Sequence, residues 1–413
     1  MIIKLSPYID MEHSWIFTLL VCIQIVALGV SGSRNIICPG TFVQDKTPIS
    51  VHRLKVGDIK VVAAMGDSFT AANGAGAIEL EDMTKEFKAY SFSGGGHSTY
   101  HQGTMNLPNL LSLFNPSLQG FSVAISSDPS KSRANLNVAE RFAVSSDMVG
   151  QAKKIIDLIK KNSQIDFEKD WKLVTILVGT YDLCNSCANP NKYSAPKYKA
   201  NIKAALDLLQ KNLPRTMVNL IEPFDAFDMM NQMKTNPHCL SKLKYTGCKC
   251  EKPTKAALID EYRNAIKNIV YSKAYDVNKN FTVKMHRFLN KFKAPLNSDG
   301  VADVRYFAAD CFNLGMRGQF EFGVALWNSL LMPPCMQSKA IDFRDFPRCP
   351  VTEYIPTQIS YACTGLDGIN MVDLITTTPK PTTTNGGINL RTSQYVFIVW
   401  QSLLLLLFSQ FSS

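Results

Sequence analysis

Charge is sparse in this sequence. Asp, Glu, Lys and Arg make up 19% of its 413 residues, and the lysines are scattered (Lys153, Lys154, Lys160, Lys161, Lys192, Lys197, Lys199) rather than gathered on one helix or loop. The net charge of +10 therefore reads as solvated surface, with at most a weak pull toward anionic membranes. Zinc-finger spacing and an aromatic RNA-binding motif are both missing, so no nucleic-acid partner is expected. No internal repeat is found, which excludes a repeat array. What is present is ordinary globular content: 46% hydrophobic residues, 20 prolines and 23 glycines. That composition excludes a mainly disordered, collagen-like or coiled-coil chain.

The two apolar ends decide the compartment. Trp15 to Val30 is an uncharged apolar run followed by Ser31, Gly32 and Ser33. It has the length and exit chemistry of a secretory signal peptide over residues 1–32; a membrane anchor would need a longer apolar core. Near the other end, the Thr/Pro tract Thr376–Thr378, Pro379, Pro381 and Thr382–Thr384 forms a stalk over 365–385. A segment over 386–413 follows, with an apolar tail from Tyr395 to Phe411 containing five consecutive leucines. Small residues, spacer and tail make the layout of a GPI-attachment signal. A single C-terminal transmembrane helix is the alternative, but Gln401 and Ser402 interrupt the run and no basic residue follows it. The expected location is the extracellular face of the plasma membrane, reached through the secretory pathway.

Of 11 cysteines, Cys22 lies in the leader, and the even remainder reads as disulfides in an oxidising compartment. Cys184-x-x-Cys187 and Cys248-x-Cys250 allow a zinc reading, yet no histidine completes a set, so no metal and no cofactor is expected. Asn280-Phe281-Thr282 is a possible glycan acceptor.

The remaining body, residues 33–364, alternates apolar runs with amphipathic segments. Ile59 to Met65 is apolar apart from Lys60 and stops at Gly66-Asp67-Ser68, a buried strand feeding a turn. Leu173 to Val178, Met217 to Ile221 and Phe281 to Met285 are also strand-like. Met148, Ala152, Ile155, Ile156 and Ile159 recur at helical spacing, as do Ile202, Ala205, Leu206 and Leu209. Phe320 to Leu331 reads as a last helix. Phe224, Phe227, Met229, Met230 and Met233 form a soft apolar stretch, either an acyl-groove wall or a packed loop. Strands separated by helices predict a parallel sheet covered on both faces.

Ser68 stands where the first strand stops, a usual place for chemistry in an open α/β sheet. Met65-Gly66-Asp67-Ser68-Phe69-Thr70-Ala71-Ala72-Asn73-Gly74-Ala75-Gly76 resembles the nucleophile block of the GDSL, or SGNH, hydrolases, and more narrowly the animal phospholipase B group. Ser91-Phe92-Ser93-Gly94-Gly95-Gly96 resembles the second block, Trp171 to Thr175 with Asp182-Leu183-Cys184 the third, and Asp310-Cys311-Phe312 the fifth. The resemblance implies a three-layer α/β/α sandwich, a flavodoxin-like parallel sheet. It also implies a Ser–Asp–His hydrolase of lipid esters, with phospholipid or lysophospholipid as partner.

Ser68 would be the nucleophile, Asp310 the orienting acid and Gly95 an oxyanion donor. Two positions depart from the family's pattern. The oxyanion asparagine is Tyr181, and the base histidine is Asn313. Loss of one oxyanion donor costs about 10²–10³ in rate, and a neutral amide cannot take the serine's proton at all. The expectation is a phospholipase B-like protein that has lost most or all hydrolysis and is kept for lipid or acyl binding or surface interaction. The alternative is an active serine esterase or lysophospholipase with a relocated base, for which His97 and His286 are the candidates.

Overall fold

A computed structural model describes residues 38–123 and 135–361; the expected leader, stalk and C-terminal attachment signal lie outside the described residues. The four strands are β1 (Ile59–Gly66), β2 (Trp171–Leu177), β3 (Thr216–Ile221) and β4 (Phe281–His286). Every strand residue except Lys60 is buried, which is what near-continuous apolar runs require in a sheet covered on both faces. The sheet is parallel throughout in the order β1-β2-β3-β4. The outer side of β1 is not bare. Val62 N donates to Gln119 O at 2.9 Å, Ala64 N to Leu136 O at 3.0 Å, and Val138 N to Ala64 O at 2.9 Å. The chain thus leaves β1 toward one side and returns at β2 on the other, which makes the carboxyl end of β1 the switch point of the sheet.

The helices are α1 (Leu107–Ser112), α2 (Met148–Lys161), α3 (Thr180–Cys184), α4 (Ala195–Asn212), α5 (Ala226–Met233), α6 (Leu258–Tyr271) and α7 (Met316–Leu331). α2 buries Met148, Ala152, Ile155, Ile156 and Ile159, and α4 buries Tyr198, Ile202, Ala205, Leu206 and Leu209, the stripes their spacing predicts. α2, α4 and α6 pack side by side, while α7 packs on β4 and against α1. The right-handed rule for parallel crossovers puts α2, α4 and α6 on one face of the sheet and leaves the other to α1 and α7. This is the expected three-layer α/β/α arrangement.

Local structure departs from the sequence reading in two places. The last helix begins at Met316 rather than Phe320, because Gly315 closes the preceding loop and Met316 N donates to Ala75 O at 2.9 Å. The Phe224–Met233 stretch is mostly helix, not loop. Asp225 Oδ1 caps α5 by accepting from Phe227 N and Asp228 N, and Phe227, Met229, Met230 and Met233 are buried.

Disulfides join Cys38 to Cys349, Cys184 to Cys248, Cys187 to Cys250 and Cys239 to Cys311; Cys335 is also disulfide-bonded. The two motifs that could suggest zinc are thus bonded to each other. Among the described residues no helix is long and apolar enough to cross a membrane.

Candidate active site

The turn after β1 is built around Gly66. Its φ is +151°, and a side-chain carbon there would come within 2.1 Å of the Leu177 carbonyl oxygen; only glycine lets β1 and β2 approach so closely. Gln151 on α2 clasps this glycine from both sides. Gly66 N donates to Gln151 Oε1 at 2.7 Å, and Gln151 Nε2 donates to Gly66 O at 3.0 Å. Asp67 Oδ1 accepts from Phe69 N at 3.1 Å, Asp67 O from Ala71 N at 2.9 Å, and Ser68 O from Asn73 N at 2.9 Å. These bonds wind the backbone tightly and fix Ser68 at the carboxyl end of β1. Burial pushes the Asp67 carboxyl up to about 7, against the Phe69 N–H that favours its charge.

Ser68 is fully buried, and its Oγ accepts from Phe142 N at 2.9 Å. Asp310 and Asn313 lie on the loop that leads into α7. This loop is pinned by the Cys239–Cys311 disulfide. Asp310 Oδ1 accepts from Phe312 N at 3.0 Å and Asn313 N at 2.9 Å, while Oδ2 accepts from Asn313 Nδ2 at 2.7 Å. Burial raises the Asp310 carboxyl, and the Asn313 amide is the strongest opposing influence.

Tyr181 on α3 is fully buried, and its hydroxyl donates to Thr246 O at 3.3 Å. Burial drives its phenol well above the usual range. The Ser68 and Asn313 side chains oppose that shift by hydrogen bonding, and the Asp310 charge reinforces it. The fold therefore gathers Ser68, Tyr181, Asp310 and Asn313 in one buried cluster. Behind it the Phe69 ring packs edge-on against Phe224 and Phe312.

The other candidates lie differently. Gly95 must be glycine, since a side-chain carbon would come within 2.3 Å of Ala89 O. Its N–H is donated to Ser91 O at 2.9 Å, so that donor is already engaged. His97 sits edge-on to Tyr90 with ring centroids 4.9 Å apart, half-buried on the surface while Ser68 is enclosed. His286 is on β4, at the opposite edge of the four strands from β1, about 14 Å away at three strand spacings. Its Nδ1 pairs with Ser329 Oγ at 2.8 Å and its Nε2 with Asn219 Oδ1 at 3.0 Å. Burial holds it well below the usual histidine range. Both ring nitrogens are spent, so neither is free to serve Ser68 as the base its strand-end position suggested.

Sequence reasoning missed Phe142, Thr246 and Gln151. Phe142 and Thr246 belong to loops with no motif, and Gln151 is one polar residue on an amphipathic helix. Among the described residues no group of three His, Cys, Asp or Glu could hold a metal. A groove of about 610 Å³ opens beside the Asp310 loop, lined by Ala75, Met105, Phe307 and Phe320 with Arg305 and Arg317; Ser68 does not line it.

The family model for GDSL-like Lipase/Acylhydrolase matches residues 62–319, a span that holds Ser68, Tyr181, Asp310 and Asn313. The chain is similar to "Phospholipase B1, membrane-associated" of Mus musculus, 34% identical over 323 residues, covering 75% of this chain and 22% of that protein. It is similar to the Homo sapiens protein of the same name, 33% identical over 330 residues, covering 77% of this chain and 22% of that one. The chain therefore spans less than a quarter of the length of these relatives. A crystal structure of a GDSL-like lipase from Parabacteroides merdae aligns with a TM-score of 0.35 and 15% identity, over 65% of this chain and 94% of that one. With the parallel sheet, the switch-point serine and the matched span all in hand, the chain belongs to the GDSL-like lipase/acylhydrolase family.

Proposed function

We propose that this chain is a phospholipase B-like homologue of the lipid-ester hydrolases whose hydrolytic chemistry is impaired. In this reading it is retained to bind lipid or acyl chains at the outer cell surface, held there by a C-terminal lipid anchor. Ser68 occupies the nucleophile position, Asp310 the orienting-acid position and Asn313 the base position.

The observation that carries the reading is the Asn313 amide on the Asp310 carboxyl, 2.7 Å from Nδ2 to Oδ2. Attack by a serine hydroxyl on an ester requires a group that takes the proton as the new C–O bond forms, then returns it to the leaving alcohol. An amide has no lone pair basic enough for either step. The oxyanion side is also changed, because the Tyr181 ring fills the asparagine position and its O–H points to Thr246 O. The disulfides support an oxidising compartment.

Purified protein assayed on lysophosphatidylcholine and on short p-nitrophenyl esters is expected to show no turnover that Ser68→Ala removes. Turnover abolished by Ser68→Ala would overturn the impaired reading in favour of an active serine esterase. Failure to bind lysophosphatidylcholine in any form would overturn the binding role.

A further inference from the structure

The geometry points to Phe142 as the residue that controls access to Ser68, a lid seated against a turn that two disulfides fasten in place. This rests on the proposed reading only in taking the Ser68 cluster as the site.

Four contacts define the closed arrangement. The Phe142 backbone N–H is donated to Ser68 Oγ at 2.9 Å. The Phe142 ring stands edge-on to Tyr181 with centroids 5.0 Å apart, and the Arg141 guanidinium lies 4.1 Å from the ring's centroid. On a further side the ring abuts Gly247, where a side-chain carbon would come within 2.5 Å of it. Phe142 is 36% exposed while Ser68 and Tyr181 are fully buried, so the residue that bonds the enclosed hydroxyl is itself at the surface. The backbone at Phe142 has φ +62°, a left-handed conformation that costs a bulky residue energy and persists when surrounding contacts hold it.

The seat itself is covalently held. Thr246 O receives the Tyr181 hydroxyl at 3.3 Å. Cys248 is bonded to Cys184 at the end of α3, the helix that carries Tyr181, and Cys250 is bonded to Cys187. Lys249 N and Cys250 N both donate to Cys184 O. Tyr181 and the Thr246–Gly247 turn are thereby tied into one unit. The movable part of the closure is Phe142, held by one backbone hydrogen bond and by ring contacts. An ester carbonyl can reach Ser68 Oγ only after Phe142 swings out, and the ring contacts are what hold its N–H on that oxygen, so deleting the ring loosens the hydrogen bond as well.

The test reads accessibility rather than turnover, so it does not depend on a catalytic base. Ser68→Cys is labelled with iodoacetamide in the folded full chain, alone and combined with Phe142→Gly, which suits the φ and removes only the ring. Labelling through a transient opening tracks the free energy of that opening, so the double variant is expected to react about tenfold faster or more. Phe142→Ala provides a second ring deletion if the glycine lowers the melting temperature. Removing the pair Cys184 and Cys248 together, each to Ser, frees the seat and is expected to accelerate labelling as well.

Two results would overturn the assignment: Ser68→Cys reacting as fast as a free thiol with Phe142 in place, or equal labelling rates with and without the ring in folded variants. The outcome is separable from the impaired reading. If Phe142→Gly accelerates labelling and also hydrolyses p-nitrophenyl acetate through Ser68, the lid stands and the impairment falls. If labelling is unchanged and no ester is turned over, the lid falls and the impairment stands.

Discussion

The Asn313 amide donates to Asp310 Oδ2 across 2.7 Å, and the same carboxylate accepts the Asn313 backbone N–H at its other oxygen. Asp310 thus still orients a side chain three residues downstream, as an acid would orient an imidazole, but the group it orients carries no exchangeable lone pair of useful basicity. The Asn313 Oδ1 atom is buried and accepts no hydrogen bond, so the amide is engaged through Nδ2 alone.

This arrangement predicts the outcome of a repair. Asn313→His alone supplies a base but leaves Tyr181 at the proposed oxyanion position, so a small gain in p-nitrophenyl acetate hydrolysis is expected. Asn313→His with Tyr181→Asn restores both groups and is expected to exceed the single variant by about 10²-fold, the usual worth of one oxyanion donor. Steady-state kinetics with Ser68→Ala as background measures this. Equal rates for the single and double variants would show that Tyr181 does not block the oxyanion side.

Gln151 offers a stability test at the base of the Ser68 turn. Its side chain takes the Gly66 N–H and donates to the Gly66 carbonyl, and it is itself buried. The carbonyl also accepts from Glu140 N, so Gln151→Ala strands chiefly the N–H. A buried donor left alone costs about 1–3 kcal/mol, and the lost side chain adds a cavity, so a loss of about 2–4 kcal/mol is expected in urea unfolding. A loss under about 0.5 kcal/mol, the range of an ordinary surface substitution, would show that the clasp is idle.

The same local logic fixes the expectation for Cys239–Cys311, whose second cysteine lies between Asp310 and Phe312 and has φ +57°. Replacing both cysteines with Ala is expected to cost about 2–4 kcal/mol, the typical worth of a disulfide. It should also loosen the Asp310–Asn313 loop. Faster amide hydrogen exchange at Phe312 and Asn313, compared with the β2 amides of the same variant, is the readout. Uniform acceleration across both regions would mean that the bridge acts on global stability alone.

How much of this was legible in the sequence follows from where each signal is stored. β1 and the turn at Ser68 were readable because an apolar run ending in Gly66-Asp67-Ser68 has a local cause, strand burial followed by a glycine that permits close approach. Asp310 capping the backbone at Phe312 and Asn313 is likewise a short-range bond. The inward stripes of α2 and α4 follow from their periodicity. Phe142 over Ser68, Thr246 under Tyr181 and Gln151 on Gly66 were not readable, since each joins segments tens of residues apart and carries no periodic or motif signal. His286 misled for a related reason. Its place at a strand end was right, but which neighbours would claim its ring nitrogens depends on β3 and α7, and those contacts are tertiary. Lys172 and Lys284, polar breaks within strands, are fully buried, each with Nζ donating to three carbonyl oxygens, an arrangement composition cannot announce.

The buried carboxyl beside Ser68 yields a pH prediction with a definite sign. Burial raises Asp67 from 3.8 to about 7, so the folded chain keeps a proton that the unfolded chain has already lost. Below about pH 4 both states are protonated and the group is neutral toward stability. As pH rises from there the unfolded state ionises freely, and the folded state is penalised until it too ionises near 7. Stability is therefore expected to fall with rising pH across this window, by up to about 4 kcal/mol from this group at 1.36 kcal/mol per pKa unit. Asp182, raised to about 6 by burial, adds a parallel decline that ends about one unit lower. Asp67→Asn keeps an oxygen for the Phe69 N–H and removes the titration. Urea midpoints measured at pH 5, 6, 7 and 8 should show the wild-type decline between pH 6 and 7 reduced in the variant, while the Asp182 share below pH 6 persists. Glu321, also raised to about 7, titrates in both proteins and cancels in the difference. If wild type and Asp67→Asn decline in parallel from pH 6 to 7, Asp67 is ionised in the folded state throughout, and a partner or water must be stabilising its charge beside Ser68.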